Sequence, residues 1–94
     1  MRPAKLDDAE VESALVNLKG WTRSADAITK TFKFARFLDG IAWVDRVAQI
    51  AERIDHHPAL DIRYTKITAT LSTHSEGGLT RLDFDLAKEM DALA

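Results

Sequence analysis

Hydrophobic positions recur along this chain in two rhythms that alternate from segment to segment. Leu6, Val11, Ala14, Leu15 and Leu18 fall on one face of a helix over residues 6–18, with the three- and four-residue spacing a buried stripe requires. Asp7 or Asp8 is placed to cap its start. Lys19-Gly20 closes it, with the glycine free to take a left-handed cap. Over residues 21–34 the period becomes two. The odd positions Trp21, Arg23 and Ala25 and the even positions Ile28, Lys30, Phe32 and Phe34 are the inner faces of two strands. The change of parity requires a two-residue turn between them. Asp26-Ala27 fits that place. This register sets Trp21 opposite Phe32 and Ala25 opposite Ile28. It also sets Arg23 against Lys30, a like-charge pair that counts against it.

Residues 36–54 carry the strongest helical pattern. Phe37, Ile41, Val44, Ala48 and Ala51 form one stripe, and Trp43, Val47, Ile50 and Ile54 form a neighbouring one. Together they are wider than one buried face needs. Either the helix is deeply buried, or one stripe packs on the sheet while the Trp43 stripe meets a second subunit. The second alternative is the expectation for so small a chain. Pro58 then pushes His57 towards an extended backbone. Residues 59–73 repeat the parity switch, from Leu60, Ile62 and Tyr64 to Ile67, Ala69 and Leu71. A turn at Thr65-Lys66 pairs Tyr64 with Ile67, Ile62 with Ala69 and Leu60 with Leu71, and gives one apolar face. After Gly77-Gly78, a loop suited to positive φ, Thr80 is an N-cap with Asp83 as its capping-box partner. Leu82, Leu86, Met90 and Leu93 supply the face of a last helix. The order is α-β-β-α-β-β-α, without repeat or linker, and residues 1–94 read as a single domain.

Composition narrows the possible functions. Thirteen Lys and Arg stand against fifteen Asp and Glu, for a formal net charge of −2. No basic stripe is available to neutralise phosphates, so no nucleic-acid partner is expected. The absence of cysteine excludes disulfides, thiolate metal sites and a cysteine nucleophile, and it fits a reducing cytoplasm. No stretch approaches membrane-spanning length, and no apolar run follows the N-terminus as a signal peptide would require.

All three histidines, His56, His57 and His74, lie between Glu52 and Asp83. Imidazole titrates near neutral pH unaided. Glu52 stands four residues before His56, so a helix persisting that far would let the carboxylate hold one ring nitrogen and leave the other for proton transfer. The alternative is a surface ion pair at a frayed helix end. His56 and His57 are adjacent in an extended stretch and diverge, which makes them poor joint ligands. A three-histidine zinc site would require His74 and a rearranged loop, and no metal is expected. No serine-nucleophile motif, phosphate-binding loop or dinucleotide fingerprint is present. Spacing alone points to metal-free acid–base chemistry or to none.

Glu52, His56-His57-Pro58, Tyr64, His74 and Asp83 stand at the spacing of the pterin-4a-carbinolamine dehydratase family. The chain resembles that family over nearly its whole length, including Trp21, Phe32-Lys33-Phe34, Ser72-Thr73-His74 and Gly78-Leu79. It departs from common family residues at Leu60, Thr65 and Glu76, positions that bear on substrate contacts rather than on the reaction. The resemblance implies an α+β fold in two layers, a four-stranded antiparallel sheet with three helices on one face. It implies self-association as a dimer or tetramer. It also implies a 4a-hydroxytetrahydropterin substrate, left by an aromatic amino acid hydroxylase and dehydrated to a quinonoid dihydropterin without a redox cofactor. On that basis His56 and His74 are the expected proton-transfer pair, with Glu52 orienting His56. His57 and Pro58 bind the ring, and backbone groups from Thr73 through Ser75 to Glu76 read its amide edge. Asp83 is a further carry-over whose capping role already explains it. A non-catalytic assembly or transcription accessory on the same fold is the alternative.

Overall fold

The computed structural model describes residues 2–94 and has the expected element order. Helix α1 spans Asp8–Val16, strands β1 and β2 span Thr22–Ser24 and Ala27–Lys33, and helix α2 spans Phe37–Ile54. Strands β3 and β4 span Ala59–Arg63 and Lys66–Leu71, and helix α3 spans Arg81–Leu93. The strands form one antiparallel sheet in the order β1-β2-β4-β3. Ile28, Phe32, Ile67, Ala69 and Leu71 are buried on one face of it together with Trp43 and Val47 of α2 and Leu86 and Met90 of α3. The opposite face is built of threonines, with Thr29 paired to Thr70 and Thr31 to Thr68. This is the alternation of a sheet covered by helices on one side only.

Both hairpins have the expected faces but a register shifted by two. Arg23 pairs with Ile28 rather than Lys30, and Ile62 pairs with Ile67 rather than Ala69. The turns are Ala25-Asp26 and Tyr64-Thr65, each one residue earlier than the alternation suggests. Ala25 and Tyr64 take φ of 53°, the positive φ that tight hairpin turns require at their first position. A shift of one residue at the turn keeps every side chain on its face, so the apolar pattern does not distinguish the two registers. The shift removes the Arg23–Lys30 clash. The strand order leaves β3 at the sheet edge, with Ile62 and, in the turn after it, Tyr64 exposed.

Helix α1 begins at an Asp7–Glu10 capping box. It ends at Val16, earlier than Lys19-Gly20. Gly20 takes its positive φ a turn later, on the way into β1. The expected division of α2 between the sheet and a second subunit does not hold. Trp43 and Val47 are buried inside the protomer, and the Trp43 indole N–H donates to the Met90 carbonyl at 3.0 Å. The Trp43 stripe is therefore held by α3 and the sheet, and Phe37 and Leu38 are left exposed instead. Gly40 allows α2 to sit this close, because a Cβ there would lie 3.0 Å from Ile67 and 3.2 Å from Phe34.

A polar tether joins the end of α3 to the sheet. Asp91 accepts from the Trp21 indole N–H at 3.1 Å and from Lys30 Nζ at 2.8 Å, while Lys30 lies over the Phe32 ring. Asp91→Ala leaves the buried Trp21 N–H and the Lys30 ammonium without their acceptor. It should cost about 1–2 kcal/mol in chemical denaturation, whereas an unchanged midpoint would show the tether to be idle.

Candidate active site

The site forms at the end of the sheet where α2 finishes, β3 begins and β4 ends. Its geometry starts from a helix terminus. Asp55 takes a left-handed conformation (φ 51°, ψ 47°), which aspartate tolerates better than most residues. The His56 N–H donates to the Ala51 carbonyl at 3.0 Å and the Asp55 N–H to the Glu52 carbonyl at 3.3 Å, a Schellman ending with Asp55 where glycine is usual. The chain turns off the helical path at Asp55. Glu52 and His56 therefore do not share a helix face, and the expected Glu52–His56 pair does not form. The Glu52 carboxylate instead meets Nε2 of His57.

His56 turns inward and is buried. Its Nε2 lies 2.6 Å from Asp83 Oδ1. Asp83 is fully buried, and its other oxygen accepts from the Thr73 hydroxyl at 2.8 Å and from the Thr80 backbone N–H at 2.9 Å. The Thr80 hydroxyl completes the capping box of α3 and lies 2.9 Å from that of Thr73. One carboxylate thus caps a helix, holds β4's extension and orients an imidazole. The capping role read from the sequence is correct, and it is only part of what Asp83 does. Every buried side-chain polar atom among the described residues has a partner, as a buried charged network requires.

His74 opens a single 3-10 turn, His74–Glu76, which closes at Gly77 with φ 75°. A backbone bridge between Thr73 and Gly78 pins this loop. His74 is exposed, and no hydrogen bond to its ring is present among the described residues. Two adjoining depressions share His57, Ser72 and His74. The smaller, about 240 Å³, also takes in Arg2, His56, Thr73 and Ser75. The larger, about 500 Å³, opens onto the threonine face of the sheet between Pro58, Thr70 and Gly77. Its far wall is the β1–β2 turn, which Ser72 holds through a 2.6 Å hydrogen bond to the Asp26 carbonyl.

The structure therefore brings His56, His57, His74, Pro58, Thr73 and Ser75 together, with Asp83 directly beneath. Glu52 reaches the site only through His57. Glu76 lines neither depression and accepts from the Ser75 hydroxyl at 3.1 Å. Sequence reasoning missed Arg2, Asp55, Ser72 and Thr80. Thr80 was legible as a cap, but its link to Thr73 joins residues seven apart through a loop. Among the described residues no three His, Asp or Glu side chains are grouped to hold a metal ion.

Fold and site together define an α+β domain with a cluster of imidazoles, two of them held by carboxylates, at one end of its sheet. Comparison with known proteins places that class. Residues 4–93 match the family model described as pterin 4 alpha carbinolamine dehydratase, and the chain belongs to that family. A relative from Nocardia farcinica is 53% identical over 89 residues, covering 95% of this chain and 94% of its own length. One from Roseiflexus castenholzii is 51% identical over 90 residues, covering 96% and 97%. A solved structure from Brucella melitensis, described as a transcriptional coactivator/pterin dehydratase, superposes with a TM-score of 0.93 at 39% identity, covering 96% of this chain and 98% of that one. A pterin dehydratase-like protein described as a RuBisCO assembly factor shares the fold alone, with a TM-score of 0.66 at 24% identity over 79% of this chain and 86% of its own.

Proposed function

We propose that this chain dehydrates a 4a-hydroxytetrahydropterin to the quinonoid dihydropterin and water. The observation that carries the reading is the set of three imidazoles around one depression, with two of them each fixed at one nitrogen by a carboxylate. In the reaction a base takes the proton from N5. The electrons of that N–H bond form the C4a=N5 double bond, and the C4a–O bond breaks as an acid protonates the departing oxygen. Nothing is oxidised overall. Positioned imidazoles supply the base and the acid, each contributing about a hundred- to ten-thousand-fold.

His56 and His74 are the proton-transfer pair in this reading. Asp83, not Glu52, orients His56 and leaves its Nδ1 available. His57, held at the rim by Glu52, binds the pterin ring beside Pro58, and the backbone from Thr73 to Glu76 reads the ring's amide edge. An aromatic amino acid hydroxylase supplies the substrate, and the chain serves tetrahydropterin recycling in the cytoplasm. Catalysed decay of 4a-hydroxytetrahydropterin, followed by absorbance, tests the reading. A rate independent of protein concentration overturns it.

A second reading, dimerisation or assembly on the same fold, is favoured by the apolar side chains left exposed. Phe37 and Leu38 begin α2, and Ile62 in the β3 edge strand and Tyr64 in the turn that follows it lie at the end of the molecule away from the histidines. The occupant we propose is a second copy of this chain. Wild-type protein should sediment as a dimer or larger at micromolar concentration, and Leu38→Lys with Ile62→Lys should yield a folded monomer. A wild type that sediments as a monomer contradicts this. Val47→Glu does not test it, because Val47 is buried within the protomer and the charge would unfold the chain.

A further inference from the structure

The N-terminal arm reaches the site, and the reaction outlined above makes no use of it. The Leu6 N–H donates to the Leu79 carbonyl at 2.8 Å, which lays the arm beside the loop that follows His74. Four residues earlier, Arg2 arrives at the C-terminal end of α2. Its Nη2 donates to the Asp55 carbonyl and lies 3.6 Å from the Asp55 carboxylate. Its Nη1 lies 3.4 Å from His56 Nδ1. The left-handed turn at Asp55 presents that carbonyl beyond the last helical residue, where a cation is favoured by the helix dipole.

We infer that Arg2 is a positioning residue that fixes the plane and the tautomer of His56. Arginine only donates, so Nδ1 of His56 accepts and the ring proton sits on Nε2, facing Asp83 Oδ1. Arg2 and Asp83 grip opposite edges of the ring, and both contacts select the same tautomer. Asp83 holds the ring at Nε2, and Arg2 adds a second contact at Nδ1. A separation of 3.4 Å is long for a hydrogen bond, so the Nδ1 lone pair is loosely held and can be exchanged for a substrate N–H. Arg2 lines the same depression as the three histidines, whereas a residue serving only to cap α2 would have no reason to face it.

The kinetic consequence rests on the dehydratase reading, and the spectroscopic one does not. Arg2→Ala and Arg2→Lys are compared with wild type by turnover, by thermal melting and by ¹⁵N NMR of the His56 ring. The expected result for Arg2→Ala is a kcat about tenfold lower, the lower end of the range for groups that orient a site residue. KM should stay within about twofold, and melting should be unchanged. The Nδ1 resonance should move towards that of an unbonded ring nitrogen while Nε2 stays in place. Arg2→Lys should restore most of the loss. An unmoved Nδ1 resonance overturns the inference, and so does a kcat that is unchanged or raised. If wild type itself fails to accelerate the dehydration, the dehydratase reading falls, and the Nδ1 resonance alone then decides for or against the Arg2–His56 contact.

Discussion

His74→Ala should lower kcat for carbinolamine dehydration about a hundredfold, or roughly 3 kcal/mol of transition-state stabilisation, and leave the melting midpoint where it is. His74 is exposed on a short turn pinned by its own backbone, and no hydrogen bond to its ring is present among the described residues. Its removal therefore takes away a proton carrier and little else. His56→Ala should cost similar turnover but also lower stability, because it deprives the buried Asp83 carboxylate of one partner. The two single variants thus differ in melting while agreeing in kcat, and the double variant should lose less than the product of the singles if the residues act as one unit. His57→Ala, at the rim, should act on KM, since a contact shared by ground and transition states does not set kcat. Wild-type turnover in His74→Ala would remove it from the proton-transfer pair.

Asp83→Ala should destabilise the chain by about 3 kcal/mol, because it removes the acceptor at the centre of a buried hydrogen-bond network and strands its partners. Three groups lose an acceptor at once: the His56 ring, the Thr73 hydroxyl and the Thr80 N–H. For a domain of this size the melting midpoint should fall by roughly 15 °C. Asp83→Asn separates the two roles of the residue. The amide oxygen can still accept from Thr73 and Thr80 and keep the cap. Its NH₂ group then faces Nε2 of His56, so that nitrogen must accept and the ring must change tautomer. Asp83→Asn should therefore lose about a hundredfold or more in kcat with a much smaller loss of stability. Equal stability losses in Ala and Asn, with activity retained in Asn, would reduce Asp83 to a helix cap.

How much of this was legible in the sequence depends on which interactions are local. The faces of the strands, the capping box at Thr80 and the span of α2 follow from side chains a few residues apart, and they were read correctly; at α1 the cap was narrowed only to Asp7 or Asp8, and its partner Glu10 was not read. The hairpin turns were placed one residue late, because alternation fixes the face and not the register, and neither Ala25 nor Tyr64 advertises a positive φ. The Glu52–His56 spacing implied a pair only if the helix continued. Asp55 ends it, and a non-glycine left-handed residue leaves no mark in the pattern. Asp83 was seen as a cap because that bond spans three residues. Its bond to His56 spans twenty-seven and exists only once α3 packs beside the end of α2. The Trp43 stripe was misassigned to a second subunit because periodicity gives the width of an apolar surface without saying what covers it. Arg2 carried no signal at all, since a lone arginine in an N-terminal arm acquires a role only when the arm is laid along the 77–79 loop.

The central claim is that imidazoles at this site remove water from a 4a-hydroxytetrahydropterin. The direct measurement is the absorbance decay of freshly generated 4a-hydroxytetrahydropterin near neutral pH with wild type, with His74→Ala, and with no protein. The account predicts a decay proportional to wild-type concentration, with His74→Ala close to the uncatalysed background. Three superimposable decay curves would contradict it.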